Sequence, residues 1–389
     1  MTPFVFEPTL QAAHARIQAV RPQDYARTRN ALDGAVTRLS PYLTHGFVSL
    51  PEVHAGVDAV YPLDDHHKLV FELGWRAYFR HVWRHVGLGI HQSLHDGLLP
   101  DATYAQAMPD DIVQGRCGVP AIDCAVRELY ATGYLHNHAR MWLASYVVHL
   151  RKVHWHVGAE WLYSHLLDGD LASNHLSWQW VAGTGSSKPY VFNADNVQRF
   201  APAAWHSPGS VIDTSYEALD RIARSAKPAV FRRTGAAGIR PPERFRLPPR
   251  PDDFAPVDAQ AVQGRDVWLV HPWALGALPA DLPAGTLALG IAVAEFHQQH
   301  PWTAQRWDFV TRRMRQLAPL CWHAPAQTMG AALRMARSVH LLADPHLREP
   351  GKPWLPASVH QHAAPRLFTP VDELCGSFSK WRGRTKVLR

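Results

Sequence analysis

Asp168-Gly169-Asp170-Leu171-Ala172-Ser173-Asn174-His175-Leu176-Ser177-Trp178-Gln179-Trp180 packs two carboxylates, an amide and two indoles into one short run. Carboxylates two residues apart share one side of an extended segment or flank a turn. Such a donor set suits an anion, a metal ion or a cofactor ring. The same letters also suit a capped helix with a tryptophan-rich core face, because Asp and Asn favour helix starts and a buried indole N–H needs a partner. On this run alone both readings stand.

Upstream, residues 123–141 read DCAVRELYATGYLHNHARM, with apolar residues at 122, 126, 129 and 130 at helical spacing until Gly133 interrupts them. A new helix then carries His136, Asn137, Arg140 and Met141. Arg140 lies one turn from His136 and borders the apolar run 141–148, so its guanidinium is drawn inward and needs a carboxylate. Asp168 and Asp170 are the candidates. Further upstream, Thr37-Arg38-Leu39-Ser40-Pro41-Tyr42-Leu43 places Pro41 in the first turn of a helix. A helix N-terminus of this kind can receive phosphate, and an ordinary Ser-Pro helix start reads the same way.

Taken in order, TRLSPYL (37–43), ELGWR (72–76), GYLHNHARM (133–141), LLDGDLASN (166–174) and WQW (178–180) resemble the flavin-binding domain of the photolyase and cryptochrome family, from about residue 24 to about 202. The resemblance implies an all-helical domain that holds FAD folded in a U. By position, Thr37, Arg38, Leu39 and Ser40 would lie along the FAD phosphates and ribityl chain, with Tyr25 near the phosphate. Asn137, Arg140, Asp168, Asp170 and Asn174 would surround the flavin ring, with Arg140 paired to Asp168 and Asn174 facing flavin N5. An amide there both donates and accepts, so it tolerates either protonation state of N5. The set Glu72, Trp75, Arg76, Asn137, Met141 and Trp180 matches the lesion pocket of photolyases that split cyclobutane pyrimidine dimers. Enzymes of the family that act on the (6-4) lesion instead carry histidines at the positions of Asn137 and Met141. The implied chemistry is electron transfer from light-excited reduced flavin to the dimer, with Glu72 bonding the bases and the indoles packing against a flipped-out lesion. No side chain serves as a general base.

The resemblance also implies a photoreduction relay, for which Trp178 and Trp155 are the first two members. A third tryptophan, expected near residue 102, is missing, and Tyr104 is the nearest stand-in. After WQW, Pro189-Tyr190-Val191-Phe192-Asn193 is shorter than the family segment and lacks its phosphate-holding arginine, and His138 stands where dimer photolyases often have arginine. Fewer phosphate contacts mean weaker, less salt-dependent DNA binding. These departures support a second reading, a cryptochrome-like blue-light or redox sensor that binds FAD, signals to a protein partner and does not repair DNA.

The 389-residue chain, with a formal charge of +7, is long enough for two domains and suits a polyanionic partner. Its four cysteines, Cys117, Cys124, Cys321 and Cys375, show no C-x-x-C spacing, which argues against a zinc, disulfide or iron–sulfur framework. Nor do the 25 histidines form an HExxH pattern, so no metal is expected. With no targeting signal and no membrane-length apolar run, a cytoplasmic protein is expected. The expected organisation is mainly α: residues 1–206 form the helical FAD-binding domain, and 207–264 a Pro/Arg-rich linker that includes Arg232-Arg233-Thr234-Gly235 and a short helix at 216–226. Residues 265–389 form a small α/β domain with a parallel sheet and a basic tail. Strand patterns in this last part fall at 266–270, 286–293, 320–322 and 338–342, and helical spacing falls at Trp307, Val310, Met314 and Leu317. It faintly resembles the family's antenna domain moved to the other end of the chain.

Overall fold

A computed structural model describes residues 5–229, 237–347 and 353–388. The Arg232–Gly235 run lies outside these residues.

Leu171–Ala182 is the axis of the helical half. Asp170 caps its start by accepting a hydrogen bond from the Ser173 N–H at 2.8 Å, and Gly183, at φ 79°, ends it in the left-handed region. The helix packs against Lys68–Val86, Asn137–Ser145 and Trp155–His165, and is therefore apolar around most of its circumference instead of along one stripe. Gly158 permits the closest of these approaches, since a Cβ there would lie 2.3 Å from the Trp178 ring. The helix Pro120–Thr132 ends at Gly133, at φ 65°, where the sequence pattern breaks.

The second half holds five parallel strands: β1 (Asp266–Val270), β2 (Leu287–Val293), β3 (Leu320–Ala324), β4 (Ser338–Leu342) and β5 (Val359–His362), in the order β3-β2-β1-β4-β5. Val267 pairs with Leu287 on one side and Val339 on the other, so β1 is central and its residues are buried throughout. Helix Ala304–Leu317 lies between β2 and β3 in sequence, with Trp307, Val310 and Met314 buried.

The segment from 207 to 264 is tied down at several points. The Ala229 N–H donates to the Leu150 carbonyl, the Ile239 N–H donates to the Gln114 carbonyl, and Arg244–Phe245 pairs antiparallel with Trp302–Thr303. It carries the helix Tyr216–Arg224.

One hydrophobic core runs from the first helices through the sheet, and Tyr42, Phe47 and Phe309 share ring contacts within it. A second core lies under residues 112–219. Near the end of the chain, Phe378 stacks on Trp75 with centroids 4.1 Å apart and planes at 10°. Phe378 is buried, so Phe378→Ala should remove about 3 kcal/mol of stability, read as a lowered urea midpoint, and should increase the quenching of Trp75 by a soluble quencher.

Candidate functional site

Two carboxylates two residues apart take different partners. Arg140 Nη2 donates to both oxygens of Asp168, at 2.9 and 2.7 Å, while its Nε donates to the Leu135 carbonyl at 2.7 Å. The guanidinium also lies over the Tyr134 ring, 5.5 Å from its centroid. Of the two acids that the sequence leaves open for Arg140, the structure pairs it with Asp168. Asp170 instead binds Arg80 closely, with Arg76 at 3.6 Å. Burial would raise the Asp170 pKa, but the two guanidiniums outweigh it and hold the carboxyl well below the usual carboxylate range.

Thr44 ties these groups together. Its hydroxyl donates to the Asp168 carbonyl at 3.0 Å and accepts from Arg76 Nη2 at 3.1 Å. Arg76, read from the resemblance as a DNA contact, thus faces inward between Thr44 and Asp170. Arg80 and Thr44 were not singled out from the sequence; Arg80 sits one turn beyond Arg76 on the same face, which is the signal that could have found it.

Asn174 is buried, and its Nδ2 donates to the Ala159 carbonyl at 2.9 Å, which fixes the amide plane. The 37–40 segment enters through a strained residue: Arg38 has φ 50°, and the Thr37 hydroxyl accepts from the Leu39 N–H at 3.4 Å. Leu39 is buried and Ser40 opens the helix Ser40–Thr44. The charge of Arg38 reaches Glu128, Tyr134 and His136, on the same side as Arg140. Tyr25 is largely buried next to Glu72, and burial, aided by that carboxylate, pushes its hydroxyl pKa up.

Near the Arg140–Asp168 pair Ser173 Oγ is buried without a protein partner, while His136 Nε2 turns toward the Arg29 carbonyl. Buried polar atoms are nearly always satisfied, so a polar ligand fits here. Burial, with His138 and Arg140 nearby, pushes His136 down to about 4 and keeps its ring neutral at physiological pH.

A surface runs outward from the cradle. Arg29 Nε meets Glu72 at 3.3 Å, and the next carbonyl, Asn30, accepts from His138 Nδ1 at 2.8 Å. That proton fixes the tautomer, so His138 Nε2 accepts from the Tyr190 hydroxyl at 3.3 Å, and Tyr190 packs on Trp180 with centroids 5.9 Å apart. Asn137 and Met141 lie beside His138, with Asn137 Nδ2 to Met141 Sδ at 3.7 Å. Burial raises the Glu72 pKa against the opposing pull of Arg29. Trp178 and Trp155 are both buried. From Trp155, rings continue to His154 at 5.8 Å and to Tyr104 at a further 6.2 Å.

Residues 69–206 match the family model described as the FAD binding domain of DNA photolyase. The helical half is thus a photolyase-type FAD-binding domain. Through these residues the chain is similar to the DNA photolyase and cryptochrome family. Among its relatives, a deoxyribodipyrimidine photo-lyase of Streptomyces griseus is 33% identical over 228 residues, covering 51% of this chain and 47% of the relative. Another, from Thermus thermophilus, is 37% identical over 199 residues, 48% of this chain and 45% of the relative. Cryptochrome DASH of Gloeobacter violaceus is 34% identical over 173 residues, 42% of this chain and 34% of the relative. The matched stretch therefore spans about a third to a half of these curated relatives. A solved cryptochrome of Synechocystis superposes with a TM-score of 0.47 at 26% identity, over 58% of this chain and 54% of that one. No helix of the described residues is long and apolar enough to cross a membrane.

The folded state binds the Asp170 proton more weakly than the unfolded chain does. The stabilisation from its pairing is therefore complete above about pH 5 and is lost as pH falls through about 4 and below. Asp170→Asn should lower the urea midpoint at pH 7 and flatten its decline between about pH 5 and pH 2, followed by circular dichroism.

Proposed function

We propose that the protein is a light-driven DNA repair flavoprotein that splits cyclobutane pyrimidine dimers. The observation that supports this most is the chain of contacts from Glu72 through Arg29, Asn30, His138 and Tyr190 to Trp180, with Asn137 and Met141 beside His138 on the helix that carries Arg140. When bound and reduced, FAD supplies the electron on absorbing blue light.

The chain's own residues do the rest by holding and orienting. Arg38 and the backbone of 37–40 would hold the FAD phosphates, and Arg140, Asp168 and Asn174 would hold the flavin ring. Arg80 keeps Asp170 ionised and leaves it to cap the helix that carries Asn174. Glu72, with a raised pKa, donates from its protonated form to a pyrimidine carbonyl more readily than an exposed glutamate would. Trp180 offers an exposed aromatic face for an unstacked base. His138 takes the place of a phosphate-binding arginine and braces the wall of the opening instead. The photoreduction relay would begin with Trp178 and Trp155, and from Trp155 the rings of His154 and Tyr104 follow in turn.

One observation favours the sensor reading. Phe378 covers a face of Trp75, the indole that the resemblance assigns to lesion packing, and links that pocket to the C-terminal segment.

The deciding experiment is repair of a dimer-containing oligonucleotide by purified, chemically reduced protein, under blue light against dark. Dimers should be lost only in the light. Glu72→Ala should slow repair by at least about tenfold, the scale of a lost hydrogen bond to a charged or polarised group, with FAD content unchanged. FAD binding without repair of single- or double-stranded substrate would overturn the repair reading in favour of the sensor.

A further inference from the structure

Four side chains that play no part in the flavin site converge beside Trp155. His91 comes from the turn Gly87–His91, His156 and Glu160 from one face of Trp155–His165, and His175 from Leu171–Ala182. One nitrogen or oxygen of each lies within 4.8 Å of the others. Glu160 Oε1 is 2.8 Å from His175 Nε2, 3.8 Å from His91 Nδ1 and 3.8 Å from His156 Nε2. Its other oxygen, Oε2, is 3.3 Å from His300 Nδ1, which reaches in from the α/β half.

His175 is oriented as a metal ligand would be. His175 Nδ1 lies 3.0 Å from the Leu171 carbonyl, which can only accept, so that nitrogen carries a proton. In the neutral ring, Nε2 then points a lone pair at a carboxylate oxygen. His91 and His156 bring two more rings to the same carboxylate, centred 4.7 and 5.6 Å from the His175 ring. A cation between these rings and the carboxylate fits the arrangement. It makes the lone pair a ligand and leaves Nδ1–H on a backbone carbonyl, which is how metal-binding histidines are usually oriented.

We propose that His91, His156, Glu160 and His175 form a binding site for a divalent first-row transition metal, with zinc as its principal occupant and His300 positioning the carboxylate. Three imidazoles and one carboxylate suit zinc and its neighbours in the series better than calcium or magnesium, which prefer oxygen ligands, or copper(I), which prefers sulfur. Tetrahedral zinc at about 2.0–2.1 Å sets its ligand atoms about 3.4 Å apart. The four observed ligand atoms, all within 4.8 Å of one another, need draw together only modestly to reach that spacing. His156 and Glu160 line a surface cavity of about 720 Å³, which gives the ion a way in. With four protein ligands the site is structural: it joins three segments of the helical half and, through His300, the α/β half.

The test uses full-length protein stripped with a chelator and titrated with Co²⁺ and then Zn²⁺. The expected result is about one equivalent of Co²⁺ with the intense visible bands of a four- or five-coordinate ion, displaced by Zn²⁺, and a Zn²⁺-dependent rise in thermal midpoint. His91 and His156 are both partly exposed, so the His91→Ala/His156→Ala double variant is the choice least disruptive to folding. It should lose more than about 100-fold in affinity, with FAD content and the metal-free thermal midpoint unchanged, while His300→Ala should lose about 10- to 100-fold as an outer partner. Three results would overturn the site: weak binding at many places without those bands, equal affinity in the double variant, or a Glu160→Gln variant that binds Co²⁺ as tightly as the parent. Each would leave the cluster as a His–carboxylate ion pair and the binding as adventitious contact with other histidines.

Discussion

Asp170 is the constraint on which the rest of the molecule rests. Its side chain is fully buried, and a carboxylate in that position must be paired or become protonated. Arg80 and Arg76 supply the charge, and the Ser173 N–H supplies a hydrogen bond that also starts the central helix. Arg80 continues to Asp344, at 3.0 Å, just past the end of β4. One buried charge therefore sets the start of the helix bearing Asn174 and Trp178, the direction of the 68–86 helix, and the contact between the two halves.

That contact falls at an informative place in the sheet. The strand order reverses at β1, and open parallel sheets hold ligands beyond the carboxyl ends of the strands at such a point. Here His271 follows β1 and donates through Nε2 to the Leu342 carbonyl of β4, and Asp344 lies alongside. Arg80 of the helical half reaches Asp344 there, at 3.0 Å. His45 adds a second tie, with one ring nitrogen 2.6 Å from the Pro272 carbonyl and the other 2.9 Å from the Leu167 carbonyl. In this protein the sheet uses its usual ligand position to grip the other half of the chain.

How far these features could be read from the sequence depended on distance along the chain. Arg140 next to an apolar run announced a buried guanidinium, and an acid was in reach. Strands β1 and β2 were legible because a central parallel strand is apolar almost without a break. β5 was not, because Val-His-Gln-His at a half-exposed edge carries no such pattern. The segment 207–264 reads as a linker from its prolines, yet its backbone donors at Ala229 and Ile239 find carbonyls on helices far upstream. The imidazole cluster was invisible for the same reason. Only His156 and Glu160 show helical spacing, while His91, His175 and His300 reach it from other segments. Local composition reveals which groups must be satisfied; the partner is set by folding.

The stack of Phe378 on Trp75 also bears on how the molecule is made. Trp75 leaves the ribosome about 300 residues before Phe378. For most of synthesis the 68–86 helix therefore displays an uncovered indole face, with the sheet behind it unbuilt. A nascent chain in that state exposes apolar surface that later packing will hide, the condition under which chains associate or recruit chaperones. A residue made late completes the wall of a site whose first residues emerged long before, so the helical half reaches its finished surface only once Phe378 has docked.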